Sequence, residues 1–315
     1  MADTPLVTTV AAAAGSDQVS ERDTSRFWPI AAILAAVLLW GGSFSAMRVA
    51  VHVLNPWSVM WLRMTIALIV LIPFTGRVWP KTYQKGDWIF LLPMVIFQPC
   101  LYFFLESHAL VLTTSSQAGV IAASVPILVS VGAWLFLKES VHGLTFVGFV
   151  VAVAGVTGLT LMQTSGGPAQ NPVLGNTLEL GAMVSAAANM LIVKQLSSRY
   201  NPWTLTAMQT LAGFIFFLPG LYYMWPVDQS IWTVNLILSM LFLGSLVTLG
   251  AFGLYNWGMS RVPASRAATF INLVPVTAVV LGWVILNESL NLFQIIASAV
   301  VVGGVYLSQK AQSRM

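Results

Sequence analysis

Two copies of one apolar stretch carry the residues whose types and spacing most suggest chemistry. The first copy runs from Pro126 to Glu139 and the second from Pro275 to Glu288, at a constant offset of 149 residues. A proline inside a helix cannot donate its hydrogen bond and crowds the carbonyl four residues earlier. At membrane depth such a carbonyl is tolerated only where it is buried in protein or lines a cavity. The pattern predicts kinked helices that offer carbonyls to a substrate ammonium, with a purely structural kink as the alternative.

Neutral polar and aromatic side chains near the middle of the apolar segments are the second group of candidates. Trp40 stands beside Gly41 and Gly42, which combines a stacking surface with room for a neighbouring backbone; core packing is the alternative. Polar groups at this depth usually face the bundle interior, so we expect about half of them to contact substrate. The predicted substrate-binding residues are Trp40, Ser43, Phe44, Gln98, Tyr102, Ser124, Pro126, Asn189, Thr248, Asn256, Asn272 and Pro275.

Three charged or titratable residues are candidates for gating or coupling. Glu106 and His108 lie near the outer end of the third apolar segment and could form a proton-sensitive gate, although solvation at the interface explains them more simply. Arg63 lies near the outer end of the second segment, from which a long side chain can extend to the headgroups. An ion pair with an acidic residue or a substrate carboxylate is the alternative for Arg63.

The remaining acidic residues fall near the predicted helix ends. Glu139 and Glu288 are each followed by serine and a short turn, which suits capping of the amides at the start of the next helix. Asp87 and Glu179 are also placed near ends. The absence of a deep acid argues against an antiporter of cationic drugs that depends on a membrane-embedded carboxylate.

Composition places the chain among polytopic membrane proteins. Of its 315 residues, 57% are hydrophobic and 8% are charged, whereas soluble domains carry roughly a quarter charged residues. The formal charge of +4 does not indicate nucleic acid, since the basic residues lie between apolar runs. The single cysteine, Cys100, excludes a disulfide or a Cys-rich metal site within one chain. No metal site or cofactor is predicted.

Ten segments are long enough to cross the hydrocarbon as helices, which takes about 20 apolar residues. They span residues 27–50, 57–76, 87–111, 114–137, 143–163, 174–197, 202–224, 232–259, 264–286 and 291–309. Residues 1–26 are predicted to be a disordered cytoplasmic tail, with a partner-induced amphipathic helix as the alternative. A cytoplasmic N-terminus puts 12 of the 14 basic residues on the cytoplasmic side, leaving Arg48 and Arg63 outside. Both termini are therefore predicted to be cytoplasmic.

The two halves of the chain are predicted to be inverted repeats of five helices each, residues 27–163 and 174–309. Asn55-Pro56-Trp57 recurs as Asn201-Pro202-Trp203, each time between the first and second helix of a half. An odd number of helices per half turns the second copy upside down. Inverted repeats of this kind are typical of transporters, whose substrate site lies between the halves near the midplane.

The pattern Leu39-Trp40-Gly41-Gly42-Ser43-Phe44, then Arg63, then the two stretches ending in Glu139-Ser140 and Glu288-Ser289, resembles the EamA branch of the drug/metabolite transporter superfamily. The resemblance covers residues 27 to 309. It implies ten helices, with helices 1, 3, 4, 6, 8 and 9 around a central cavity and helices 5 and 10 as scaffold. It also implies relatives that export amino acids and metabolites across bacterial inner membranes, YddG-like exporters among them.

Together these observations predict a secondary transporter of the bacterial inner membrane that exports small zwitterionic or amphipathic metabolites, amino acids first, by alternating access. Its partners would be a small-molecule substrate and membrane lipids. Multidrug efflux is the main alternative, and a channel or a membrane enzyme is more remote. The small-residue spacings from Ala154 to Gly158 and from Ala299 to Gly303 suit a seam between the halves. They suit a homodimer face equally well.

Overall fold

The computed structural model describes residues 6–78, 83–137, 143–161, 169–225, 228–259, 261 and 270–312, and within them all regular structure is helical. We number the main helices α1 Leu6–Val51, α2 Pro56–Leu71, α3 Trp88–Leu112, α4 Ser115–Phe136, α5 Gly143–Leu161, α6 Pro172–Leu196, α7 Pro202–Phe216, α8 Val234–Gly258, α9 Leu273–Leu286 and α10 Leu292–Gln312. The predicted class, an all-helical polytopic membrane protein, is confirmed.

Six of the described helices are long and apolar enough to cross a membrane, namely α1 to α4, α6 and α8. Helix α7 joins them only together with the 3₁₀ segment Leu218–Met224, from which it is bent by 48°. Helices α5, α9 and α10 are shorter apolar helices. The count of ten membrane crossings and the cytoplasmic side of both termini therefore stay predictions.

Helix α1 begins at Leu6 and so includes most of the segment for which the sequence predicts a disordered tail. The backbone is helical there, and the physical reason lies in composition. Residues 11–14 are four consecutive alanines, and alanine has the highest intrinsic helix propensity of all residues.

The repeated Asn-Pro-Trp stretch is a helix start in both halves. The side chains of Asn55 and Asn201 accept hydrogen bonds from the backbone N–H of Trp57 and Trp203, at 3.0 and 2.9 Å. In both cases the proline occupies the first turn of the helix, where its missing N–H leaves no hydrogen bond unmade. Helices α2 and α7 thus begin with the same capping motif, an asparagine cap followed by proline in the first turn.

Two helices are interrupted near their middle, and a turn precedes a third helix. In α3, Gln98 has extended backbone angles (φ −147°, ψ 122°) just before Pro99. In α4, residues 123–124 form a turn between Ser115–Ala122 and Val125–Leu137, and a turn at Asn272 comes before α9. Pro126 and Pro275 follow these two turns by two and three residues, as expected for residues that cannot donate to the preceding turn.

The helix junctions divide between two ends of the bundle. Arg48 at the end of α1 pairs with Glu288 after α9, and Ser115 at the start of α4 bonds to the same glutamate. We call this the Arg48 end. Asp87 before α3 contacts Arg199 after α6 at the opposite end, which we call the Asp87 end. These groupings match the two sides that the sequence predicts for these junctions.

Helices α5 and α10 pack closely against each other. A Cβ atom at Gly155 would lie 2.8 Å from the backbone nitrogen of Val301, and one at Gly304 would lie 2.7 Å from the carbonyl oxygen of Gly148. The predicted seam of small residues exists, but with different members. Ala154, Ala299 and Gly303 are exposed and contribute little, whereas a Cβ atom at Gly158 would lie 3.5 Å from that of Ala297.

Candidate functional site

A cavity lies in the centre of the bundle, between helices of both halves, and its empty space, open mouth included, is about 560 Å³. Seven helices contribute to it. Its lining residues are Trp40, Ser43, Phe44, Arg63, Gln98, Tyr102, Phe103, Glu106, Ala122, Val125, Met183, Ala186, Met190, Val247, Phe252, Ile271 and Val274. Five of the twelve predicted substrate-binding residues are among them: Trp40, Ser43, Phe44, Gln98 and Tyr102.

Trp40 forms one aromatic wall of the cavity. Its ring centroid lies 5.3 Å from that of Phe252 and 4.7 Å from that of Tyr255, both on α8. Its indole Nε1 is buried without a hydrogen-bond partner among the described residues. Next to it, Gly41 leaves no room for a side chain against Thr277, so α9 approaches α1 closely. Trp40 therefore lines the cavity with an aromatic surface, and its N–H is a donor not used by the described residues.

Arg63 is fully buried in the cavity wall, so the prediction that it extends to the headgroups is wrong. Its Nε donates to Thr248 Oγ1 at 2.7 Å, and its guanidinium carbon lies 4.1 Å from the ring centroid of Phe103. Its Nη1 lies 4.0 Å from Glu106 Oε2. Nη1 has no hydrogen-bond partner in the described part of the chain. The alternative weighed from the sequence, an ion pair with an acidic residue, is the arrangement found.

Glu106 is buried and faces the cavity, and the pairing with His108 is not formed. Its Oε1 accepts a hydrogen bond of 2.6 Å from the Tyr102 hydroxyl. His108 instead donates from Nδ1 to the carbonyl oxygen of Phe104 at 2.7 Å. Residues two apart on a helix point in different directions, which separates the two side chains. The site is thus charged, and the neutral cavity that the sequence predicts is wrong in this respect.

Glu179 is also buried, although the sequence places it near a helix end. It is seven residues beyond Pro172, the first residue of α6, and it is fully enclosed. Neither of its carboxyl oxygens has a hydrogen-bond partner among the described residues. The bundle therefore contains a deep acid, and the prediction that it has none is wrong.

A chain of amide groups borders the cavity at Gln98. Asn189 Nδ2 donates to Gln98 Oε1 at 2.8 Å. Gln209 Nε2 lies 3.0 Å from both Gln98 O and Asn189 Oδ1 and satisfies the carbonyl that the break in α3 frees. Gln209 is not among the predicted site residues, although a glutamine inside an apolar segment is a signal in the sequence. Asn189 supports the cavity without lining it.

The other predicted site residues lie around the cavity rather than on its surface. Thr248 accepts from Arg63 and lines a smaller neighbouring cavity with Gln98. Asn256 Nδ2 lies 3.4 Å from Thr206 Oγ1. Ser124, Asn272, Pro126 and Pro275 flank the breaks of α4 and α9 but do not line the cavity. The residues whose carbonyls the prolines free, Ala122 and Ile271, do line it.

Glu288 caps a helix of the other half rather than the next helix in the chain, which corrects the predicted role. Its Oε2 accepts from the backbone N–H of Ser116 at 2.9 Å and from both serine hydroxyls of Ser115 and Ser116. Its Oε1 accepts from Ser115 N at 3.0 Å and pairs with Arg48 Nε at 3.1 Å. A buried carboxylate at the start of α4 thus fastens three helices together. Its repeat counterpart, Glu139, lies outside the described residues.

The Asp87 end carries a second charged cluster. Asp87 Oδ1 pairs with Arg199 Nη2 at 2.6 Å, and Oδ2 accepts from the Tyr200 hydroxyl at 2.6 Å. The hydrogen bond from Tyr200, that from the backbone N–H of Gln84 and the charge of Arg199 hold the pKa of Asp87 below its ordinary value. Burial, together with Asp87, raises the pKa of Tyr200 to about 12.

Comparison with known proteins agrees with this arrangement. The model of the EamA-like transporter family matches residues 27–161 and 173–309. The uncharacterized transporter YetK of Bacillus subtilis (strain 168) is 28% identical over 287 residues, covering 88% of this chain and 85% of YetK. An uncharacterized transporter of Archaeoglobus fulgidus is 30% identical over 293 residues, covering 89% and 97%.

Two further comparisons extend the picture. Protein PagO of Salmonella typhimurium is 26% identical over 283 residues, covering 88% of this chain and 91% of PagO. One solved crystal structure covers 93% of this chain and 99% of its own with a TM-score of 0.58 and 19% identity. That likeness concerns the fold alone.

Proposed function

The chain belongs to the EamA-like transporter family, and we propose that it exports small zwitterionic metabolites, amino acids foremost, across a bacterial inner membrane. In this proposal ten helices cross the membrane, both termini are cytoplasmic, and the two halves alternate access to the central cavity. The relatives are named as transporters, which supports transport and leaves the substrate to be inferred from the site.

The observation that carries the proposal is the pair of opposite charges in the cavity wall. Arg63 Nη1 and Glu106 Oε2 are 4.0 Å apart, both side chains are buried, and both line the cavity. Buried charges require partners of opposite sign. An α-carboxylate can bind Arg63, where Nη1 has a hydrogen-bond position free, while the α-ammonium binds Glu106. A zwitterion completes both groups without adding net charge.

The apolar part of the cavity supports a substrate with a hydrophobic side chain. Trp40, Phe44 and Phe252 provide aromatic surface, and Met183 and Met190 provide adaptable apolar contacts. The carbonyls of Ala122 and Ile271, freed by the prolines, are further acceptors for the ammonium. Phenylalanine and leucine are therefore the first substrates to try.

Multidrug efflux is the second candidate, and the two methionines favour it. Flexible methionine-rich surfaces repack around ligands of different shape and so suit promiscuous binding. A drug exporter would not need a carboxylate on its substrate, so it would tolerate the loss of Arg63.

Exchange in proteoliposomes separates the two candidates. Vesicles containing the full-length protein are loaded with phenylalanine, and entry of radiolabelled phenylalanine is compared with entry of phenylethylamine, which lacks the carboxylate. We expect exchange of phenylalanine to exceed that of the amine by at least about tenfold, because the amine leaves Arg63 unpaired. Arg63→Gln should abolish the difference, and Asp228→Asn, at an exposed position, should preserve it. Transport of the amine or of ethidium alone would refute the proposal.

A further inference from the structure

Glu179 is a buried carboxyl group that neither the proposed binding site nor the helix packing uses. Its side chain is fully buried, and both oxygens are without hydrogen-bond partners among the described residues. An ionised carboxylate in such surroundings costs far more free energy than the neutral acid does. The protonated acid is therefore the form that suits this arrangement.

Glu179 continues the face of α6 that lines the cavity. Met183, Ala186 and Met190 line the cavity, and Glu179 precedes Met183 by four residues, which puts the two on the same helix face. One turn further along this face, Asn176 bonds to Thr113 and Gln117 at the Arg48 end. Glu179 thus lies between the cavity and the hydrogen-bonded cluster of that end.

The charged and titratable groups that face Glu179 come from α3 and, behind it, α2. Tyr102 and Glu106 are within electrostatic range of Glu179, and Arg63 pairs with Glu106. His108 is also on α3 and bonds to its own helix backbone. Helices α4 and α5, which also pack on α6, contain no Asp, Glu, Lys, Arg or His within their described ranges. Arg63, Glu106 and Glu179 together contain one guanidinium and two carboxyl groups, so their summed charge is zero only when one carboxyl carries a proton.

We infer that Glu179 binds the proton that is exchanged for the exported substrate. A substrate that enters from the cytoplasm places its ammonium at Glu106, which acts electrostatically on Glu179, and its carboxylate at Arg63. The ammonium offsets the charge of Glu106 that opposes ionisation of Glu179, and the proton leaves to cytoplasmic water. After the substrate departs on the opposite side, Glu179 takes a proton from the external water and the cluster is neutral again. One proton enters the cell for each substrate exported. The exchange, unlike the proton site itself, rests on the proposed function.

Infrared difference spectroscopy tests the proton site without any substrate. The full-length protein in lipid is taken stepwise from acidic to alkaline pH, and the C=O stretching band of protonated carboxyl groups is followed. We expect a band that is absent in Glu179→Gln, shifted in Glu179→Asp and unchanged in Asp228→Asn. The aspartate variant keeps a carboxyl group, so a shifted band in this variant tests the assignment even if the glutamine variant misfolds. A band that is identical in all variants would overturn the inference.

Proteoliposomes test the coupling. With an imposed pH gradient, the wild-type protein should accumulate radiolabelled phenylalanine above the equilibrium ratio. Glu179→Gln should lose the accumulation and keep phenylalanine–phenylalanine exchange. Accumulation by Glu179→Gln, or wild-type accumulation driven by sodium instead of protons, contradicts the inference. If the wild-type protein exchanges phenylalanine but does not respond to the pH gradient, the inference about Glu179 is contradicted while the proposed function is retained. Absence of wild-type exchange contradicts the proposed function, and the infrared band then decides on the proton site alone.

Discussion

At the scale of single residues, the buried ion pair of Arg63 and Glu106 carries a high free-energy cost. Taking two charges out of water costs several kcal/mol per ion, which is offset only by good geometry and further hydrogen bonds. Thr248, Phe103 and Tyr102 provide those further contacts. The pair is therefore held on both sides, while Arg63 Nη1 has no hydrogen-bond partner among the described residues.

Removing one member of this pair should destabilise the protein more than removing both. Arg63→Gln leaves the buried Glu106 without its cationic partner, so that Glu106 must either stay ionised at high cost or take up a proton. We expect a loss of about 3 kcal/mol in the free energy of unfolding. Adding Glu106→Gln should recover most of this loss. The measurement is unfolding in mild detergent, followed by helical circular dichroism. A double variant as unstable as the sum of both single variants would show that the two residues do not act as a pair.

Arg63, Glu106 and Glu179 also show where prediction from the sequence ends. Position along a helix could be counted, and it places Glu106 six residues before Leu112, where α3 ends, whereas Arg63 lies in the middle of α2 rather than near its outer end. The direction in which each side chain points could not be derived, because lipid-facing and core-facing sides of a membrane helix are both apolar. No amphipathic period then indicates which face is inside. Trp40 was predictable because a large ring stands beside Gly41 and Gly42 near the middle of an apolar segment.

At the scale of elements, α4 depends on a residue from α9. Gly282 of α9 permits the approach, since a Cβ there would lie 2.5 Å from Ser116 Oγ and 2.8 Å from Glu288 Oε2. Glu288 then satisfies the first N–H groups of α4, which otherwise have no partner. The duplicated proline stretch predicted the breaks in α4 and α9. It could not predict this cap, because the contact joins residues of different halves.

Neutralising Glu288 should weaken this junction. Glu288→Gln removes the buried negative charge that faces Arg48 and replaces one of the two oxygens that accept from the α4 amides by an NH2 donor. We therefore expect a loss of about 3 kcal/mol in unfolding free energy. Arg48→Gln should lower the unfolding free energy by a similar amount, and the double variant should be more stable than either single variant. Unfolding in detergent measures these differences, with Asp228→Asn as the matched surface control. Wild-type stability of Glu288→Gln would show that the cap contributes nothing.

The cluster at the start of α3 predicts a pH dependence of stability. Because the pKa of Asp87 is lowered in the fold, its contribution is complete above the ordinary carboxyl pKa of about 4 and is lost as the pH falls through the lower folded pKa. The melting temperatures of wild type and Asp87→Asn should therefore differ at neutral pH and converge in acid. A difference that stays constant down to acid pH would contradict the ion pair.

The same cluster should weaken in alkali. The pKa of Tyr200 is raised to about 12, so its contribution is complete below the ordinary tyrosine pKa of about 10 and falls as the pH rises toward 12. Tyr200→Phe should remove this alkaline loss, since phenylalanine keeps the ring and has no proton to release. Melting temperatures recorded across the pH range measure both the acid and the alkaline loss of stability.

At the scale of the whole molecule, the proposed orientation follows from the basic residues. With 12 of 14 on one side, the positive-inside rule places both termini in the cytoplasm. Green fluorescent protein fused after Met315 should therefore fluoresce, and alkaline phosphatase at the same position should be inactive. An active phosphatase would invert the proposed direction of export while leaving the fold unchanged.

The close contact of α5 with α10 has a mechanical consequence. Gly155 and Gly304 bring the two backbones together near the middle of both helices, and contacts between backbones do not slide as side chains do. If the two halves rotate against each other as proposed, the contact between α5 and α10 is the pivot, and it lies at a similar distance from both ends of the bundle. Opening of one mouth must then be matched by closing of the other through a similar stroke, so the cavity should never meet both waters at once.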